Sequence, residues 1–170
     1  MLKLQIIPFG IIPEDLLNSI KDELKNTYNI QATIFEKVEP PKEAYNPLRH
    51  QFQAGKILEF LSQYKTRVIG ITDKDIYTED LNFVFGQAQL GGNVALVSIE
   101  RLNPMLYKKF PDKKLLIDRT IKEVIHETGH TLKLAHCQNS RCVMSFSNTI
   151  FDVDKKTKNL CDMCKLQLGI

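Results

Sequence analysis

At 170 residues, 43% apolar and 25% charged, the chain suits one compact domain, or a main lobe with a small satellite. Lys and Arg number 23 against 20 Asp and Glu, a net charge of +3 with no long basic run, which counts against dedicated nucleic-acid binding. The start, Met1-Leu2-Lys3-Leu4-Gln5-Ile6-Ile7-Pro8, is too short and broken for a signal peptide, and no stretch reaches the roughly 18 apolar residues that span a bilayer. The expectation is a cytoplasmic monomer, away from the membrane, with reduced thiols.

Leu2–Pro8 reads as a buried first strand, and Glu14–Tyr28 as a helix with Leu16, Leu17, Ile20 and Leu24 at helical spacing. Gln31–Val38 is a second strand closed by Pro40-Pro41. Asn46-Pro47 looks like a helix cap with proline at the first position, which predicts a second helix running to Tyr64. His50 would lie on that helix as a surface or capping residue. Arg67–Thr72 is the third, central strand, and Leu81–Leu90 and Val94–Ile99 flank the turn signal Gly91-Gly92-Asn93. Two β-α units followed by a hairpin predict an α/β fold whose mixed sheet is mostly parallel with one antiparallel strand. Lys113–Leu132 is a third helix, with Ile117, Ile121, Val124, Ile125 and Leu132 mostly inward, and the chain beyond Cys137 is loop-rich. The residues before 126 read as one folded unit, leaving no room for an inhibitory pro-segment.

His126-Glu127-Thr128-Gly129-His130 places two imidazoles one helical turn apart on one face, where both can reach a single zinc ion. Glu127, beside them, can polarise a metal-bound water without being a ligand. The bland alternative is a solvated polar helix face. His136 strengthens the metal reading only if the chain bends. On a continuing helix it would lie about 9 Å beyond His130 and about 120° off its face. A turn between 130 and 136 makes it a third ligand and leaves one coordination position open for water, whose pKa zinc lowers to about 7.

All four cysteines fall late: Cys137 and Cys142, then Cys161 and Cys164. Two close pairs at this spacing have the arithmetic of a tetrahedral structural zinc site, with buried thiols or two disulfides as the alternative. A tail this short has too little core to fold without a staple. The expected cofactors are therefore two zinc ions, one catalytic and one structural. The expected division is residues 1–136, with the active-site helix, and residues 137–170, a zinc-stapled C-terminal subdomain.

The combined run His126-Glu127-x-x-His130-x5-His136-Cys137-x4-Cys142-x-Met144, with Cys161-x-x-Cys164 after it, resembles the archaemetzincin family of metzincin metallopeptidases. The resemblance implies a twisted five-stranded sheet over helices, an active-site helix and a small C-terminal subdomain below the cleft. It also implies catalytic zinc on His126, His130 and His136, Glu127 as base, a second zinc on the four cysteines, and Met144 as an apolar floor beneath the metal. Two departures stand out. Metzincins usually carry glycine three residues after the second histidine, where the chain leaves the helix at positive φ, and here Lys133 stands in its place. No tyrosine follows Met144, so oxyanion stabilisation would rest on zinc and other groups.

The function expected is a zinc metallopeptidase that cleaves peptide bonds through a zinc-bound water activated by Glu127. Its peptide or protein substrate would add to an exposed edge strand at Asn82–Gln89. Two rivals stand beside it. The spacing His-x3-His-x5-His also resembles a bacterial RNA-processing nuclease family, although Glu127, the cysteines and the lack of a basic stripe count against that. The other rival is a non-catalytic binding module in which both zinc ions are structural.

Overall fold

A computed structural model describes residues 1–170. In chain order the elements are β1 (Leu2–Phe9), α1 (Glu14–Tyr28), β2 (Ile30–Ile34), β3 (Tyr45–Asn46), β4 (Gln51–Gln53), α2 (Ala54–Leu61), β5 (Arg67–Thr72), β6 (Ile76–Tyr77), β7 (Gly86–Ala88), β8 (Val94–Ser98), α3 (Lys113–Thr131), α4 (Ile150–Lys155) and α5 (Asp162–Leu168). The five-stranded sheet runs β2-β1-β5-β8-β7. Four of its strands are parallel, and β7 alone is antiparallel to its neighbour β8. This is the mixed sheet with one antiparallel strand that the sequence predicts.

Strand alternation assigns the two faces of the sheet. Leu4, Ile6, Ile69, Ile71, Ala95 and Val97 point to one side and pack with α1 and α3. Ile7, Phe9, Val68, Val94 and Leu96 point to the other and pack with Ala54, Ile57, Leu58 and Leu61 of α2. Helix α1 needs little beyond its apolar stripe: acidic residues open it, and Asn29 closes it in the left-handed region at φ 55°.

The segment 46–64 corrects the sequence reading. Asn46 and Pro47 do not start a helix. The Asn46 Oδ1 accepts from the Leu48 N–H at 3.1 Å, a local turn that the same dipeptide favours equally. A three-stranded sheet, β3-β4-β6, follows, and the helix covers only Ala54–Leu61. His50 is exposed in that turn at φ 53°, so it neither sits on nor caps a helix. The second strand also ends sooner than expected, at Ile34, with Val38 touching Phe9 through a single bridge. The tail holds two short helices where the sequence suggested loops.

Helix α3 runs through the middle of the molecule, between the sheet and the tail, and its C-terminal half is buried on nearly every side. Charged residues there are matched by the tail. Arg119 grips Asp154 through two bonds of 2.8 and 2.7 Å, and the Lys122 Nζ donates to the Val153 carbonyl. Lys156, whose side chain is 0% exposed, lies 2.9 Å from Glu123 Oε1, although off the best hydrogen-bonding direction. Its Nζ also donates to the Ser145 carbonyl at 3.2 Å.

Removing one partner of such a pair strands a buried charge. Lys156→Met should therefore cost about 3–5 kcal/mol, and adding Glu123→Leu should recover most of that loss. Denaturant midpoints of the single and double variants check this. Additive losses would show that the two charges do not act as a pair.

Candidate metal centre

Helix α3 begins at Asp112, whose side chain accepts from the Leu115 N–H, and ends where the third histidine needs it to end. The Leu134 N–H donates to the Gly129 carbonyl and the Lys133 N–H to the His130 carbonyl, both at 3.0 Å. That pair of bonds is a Schellman turn, and the residue that must turn left-handed is Lys133, at φ 74°. The Gly91 N–H, from the β7–β8 turn, adds a 2.8 Å bond to the same His130 carbonyl. The bend sends the chain back over the helix face. The His136 ring centroid then lies 4.8 Å from that of His130 and 5.3 Å from that of His126.

Two carbonyls set the direction of the imidazoles. His126 Nδ1 is 2.8 Å from the Val143 carbonyl oxygen, and His130 Nδ1 is 2.7 Å from that of Leu134. A carbonyl can only accept, so the proton of each neutral ring belongs on Nδ1 and each Nε2 presents a lone pair. The two Nε2 atoms face each other at 3.0 Å. Lone pairs at that separation repel unless a cation stands between them. Burial lowers the pKa of all three histidines, that of His126 well below its ordinary value, so the proton is a poor candidate for that cation. Zinc held by nitrogens at about 2.0–2.1 Å in tetrahedral geometry asks for nitrogens about 3.3–3.4 Å apart. The one ring nitrogen offered by each of His126, His130 and His136 lies within 4.8 Å of the others. The donor set fits a metal.

Glu127 is 5% exposed and lines the cleft with the three histidines. Burial pushes its pKa well above the ordinary carboxylate range, the charge of Glu123 adds to the rise, and Lys156 opposes it. The carboxylate rests against Gly86 on the edge strand β7. A Cβ there would come 2.8 Å from both Glu127 Cγ and Glu127 Oε1, so only glycine lets the strand approach this closely. Gly129 serves the other side of the helix. A Cβ at that position would meet Met144 Sδ at 2.5 Å and Tyr28 Oη at 2.9 Å. Met144 is 0% exposed and packs against the helix at Gly129.

The four cysteines converge nearby. Cys137 Sγ is 3.7 Å from Cys161 Sγ, Cys142 Sγ is 3.8 Å from Cys164 Sγ, and all four sulfurs lie within 4.8 Å of one another. Tetrahedral zinc with bonds of about 2.3 Å places its sulfurs about 3.8 Å apart. The Met144 and Cys161 N–H groups both donate to Cys142 Sγ at 3.4 Å, which lowers the pKa of that thiol, although burial raises it more. The Cys161 thiol is pulled down to about 7 by backbone and thiol donors around it. The two sets share one loop, because Val143, whose carbonyl aims His126, sits between Cys142 and Met144.

The sequence reading missed Glu123, Lys156, Gly86 and Phe146. Glu123 was open to detection, since it stands one turn before Glu127 on the same helix face. Phe146 packs on the His136 ring at 5.1 Å and lines the cleft. The expected edge strand is shorter than Asn82–Gln89, with Gly86–Ala88 forming the strand and Phe85 and Gln89 each adding one backbone bond to β8, but it is the sheet edge at the cleft.

Comparisons with known proteins agree with this geometry. The model of peptidase family M54 matches residues 9–169. An archaemetzincin from Methanocaldococcus jannaschii is 42% identical over 99% of this chain and 93% of its own. The crystal structure of archaemetzincin from Methanopyrus kandleri superposes with a TM-score of 0.88 at 36% identity, covering 99% of this chain and 93% of that one. That of Archaeoglobus fulgidus, complexed with malonate, gives 0.87 at 35% identity over 98% and 99%.

A lysine at positive φ stores about 1–2 kcal/mol of strain, and the looser unfolded chain of glycine offsets roughly 0.5–1 kcal/mol of the relief. Lys133→Gly should thus be neutral to stabilising by up to about 1 kcal/mol, with metal binding retained. Denaturation midpoints read the sign. A clear loss would mean that Lys133 contributes something beyond the turn.

Proposed function

The chain belongs to peptidase family M54, the archaemetzincins, a family of zinc metallopeptidases, and on that footing we propose the roles at its active site. His126, His130 and His136 hold the catalytic zinc ion, and Glu127 is the general base. The observation that carries this reading is the pair of Nδ1–carbonyl contacts, which leaves the Nε2 lone pairs converging beside a buried carboxylate in the cleft. Zinc bound there supplies Lewis acidity, polarising the peptide carbonyl and lowering the pKa of the attacking water. Glu127 takes a proton from that water and delivers it to the leaving amine. An extended peptide adds to the free edge of β7, where main-chain groups give affinity without side-chain selection.

Cys137, Cys142, Cys161 and Cys164 hold a second, structural zinc ion in this proposal, giving two ions per chain. Residues 137–170 are then a C-terminal unit stapled by that ion, against residues 1–136, which carry the sheet and active-site helix. The match between the sulfur spacing and the tetrahedral requirement supports this. No helix is long and apolar enough to cross a membrane. Four unoxidised thiols suit a reducing compartment, so we assign the protein to the cytoplasm, as a monomer acting on peptide or protein substrates.

Glu127→Ala should keep both metals and the fold while losing about 10²- to 10⁴-fold in rate on any cleaved peptide. Single-turnover rates, with elemental analysis alongside, read both quantities. Unchanged activity would remove Glu127 from the mechanism, and a wild type that cleaves nothing in a broad peptide library would favour a binding module.

Native mass spectrometry should find two zinc ions per chain, and Cys161→Ser should lower the melting temperature far more than His130→Ala. Structural zinc contributes folding free energy directly, whereas the histidines sit largely on a preformed helix. One ion, or equal losses in the two melts, would reverse the assignment of roles.

A further inference from the structure

Beside the active-site cleft lies a second cavity of about 470 Å³. The two share Phe83 and Asn148, so they lie side by side, although no histidine lines the second. Its apolar walls include Leu106 and Phe151, which are 47% and 80% exposed and have no partner that accounts for their exposure.

The charges in this cavity are unbalanced. Asp75 and Arg101 satisfy each other through two 2.8 Å bonds, with the guanidinium stacked 4.2 Å over the Phe83 ring. Glu100 makes no ion pair, and its polar ties run through its backbone alone: its N–H donates to Ser98 Oγ and its carbonyl accepts from the Asn103 N–H. Partial burial and the nearby charges of Asp75 and Asp73 raise its pKa. Of these causes only the negative charges of Asp75 and Asp73 would favour a cation placed beside it; the burial would not, and Arg101 and Lys74 offset part of that field.

Resting on the peptidase reading above, we propose that this second cavity is a substrate subsite for a lysine or arginine side chain. Its aliphatic stem lies along Leu106 and Phe151, and its charged head pairs with Glu100. A long stem with a cationic tip matches apolar walls and one unpaired carboxylate, as neither a purely apolar nor an acidic side chain does. The cavity adjoins the histidine-lined cleft, and the position of the residue it receives, counted from the cleaved bond, is set by the scan below.

The test uses the zinc-loaded enzyme and internally quenched peptides that differ at one scanned position, carrying lysine, norleucine or glutamate. At one scanned position, lysine should raise kcat/KM about three- to fivefold over norleucine, and more over glutamate. Glu100→Gln should bring lysine and norleucine level, and Glu100→Lys should make glutamate the best of the three. Phe151→Ala, at an exposed position where folding is not at risk, should weaken the lysine and norleucine peptides alike. No lysine preference at any position, or one that survives Glu100→Gln, would overturn the subsite. Binding of the same peptides to Glu127→Ala, followed by fluorescence anisotropy, keeps the two readings apart. If nothing is cleaved, the peptidase reading fails by itself, and the order of affinities still decides for or against the cavity.

Discussion

Two backbone carbonyls, those of Val143 and Leu134, determine what the histidine cluster can hold. By accepting from Nδ1 they leave Nε2 as the free donor atom on two neighbouring rings, aimed at one point. Neither carbonyl belongs to the helix that carries the histidines. Both lie on chain that has already left it, so the imidazoles acquire direction only after the polypeptide turns back. The left-handed Lys133, the Schellman bonds and the bond from Gly91 all serve that reversal.

The returning chain also ties the histidines to the sulfurs. The Cys137 N–H bonds the Met144 carbonyl at 2.9 Å, which closes the loop around Cys142 and Val143. Met144 presses on the bare face of the helix at Gly129, and Cys142 Sγ accepts from the Met144 N–H. A displacement of the sulfur cluster would therefore reach His126 through one peptide unit and one hydrogen bond. The tail supports the orientation of the helix as well as covering it.

Much of this was legible from local pattern. Strand β5 and helix α1 fall where their apolar spacing puts them, because each element's burial is set by its own residues. The histidine and cysteine sets were legible because few other chemistries use those residues at those intervals. Residues 46–53 were misread because Asn-Pro opens turns and helices alike, and the choice was made by pairing with β6, some 25 residues on. Helices α4 and α5 are too short to show a period. Lys156 gave no signal of its own, since its role exists only opposite Glu123, and Gly86 looked like any strand glycine until Glu127 was placed against it.

The Glu123–Lys156 pair bears on how such a sequence can drift. Either charge alone in that interior is far costlier than both or neither. A lineage that changes one position passes through a poorly folded intermediate unless the other changes with it. The two sites, 33 positions apart in the chain, thus behave as one heritable unit, exchanged together or kept together. The allowed partners are few, because whatever replaces them must fill the same space between helix α3 and the tail.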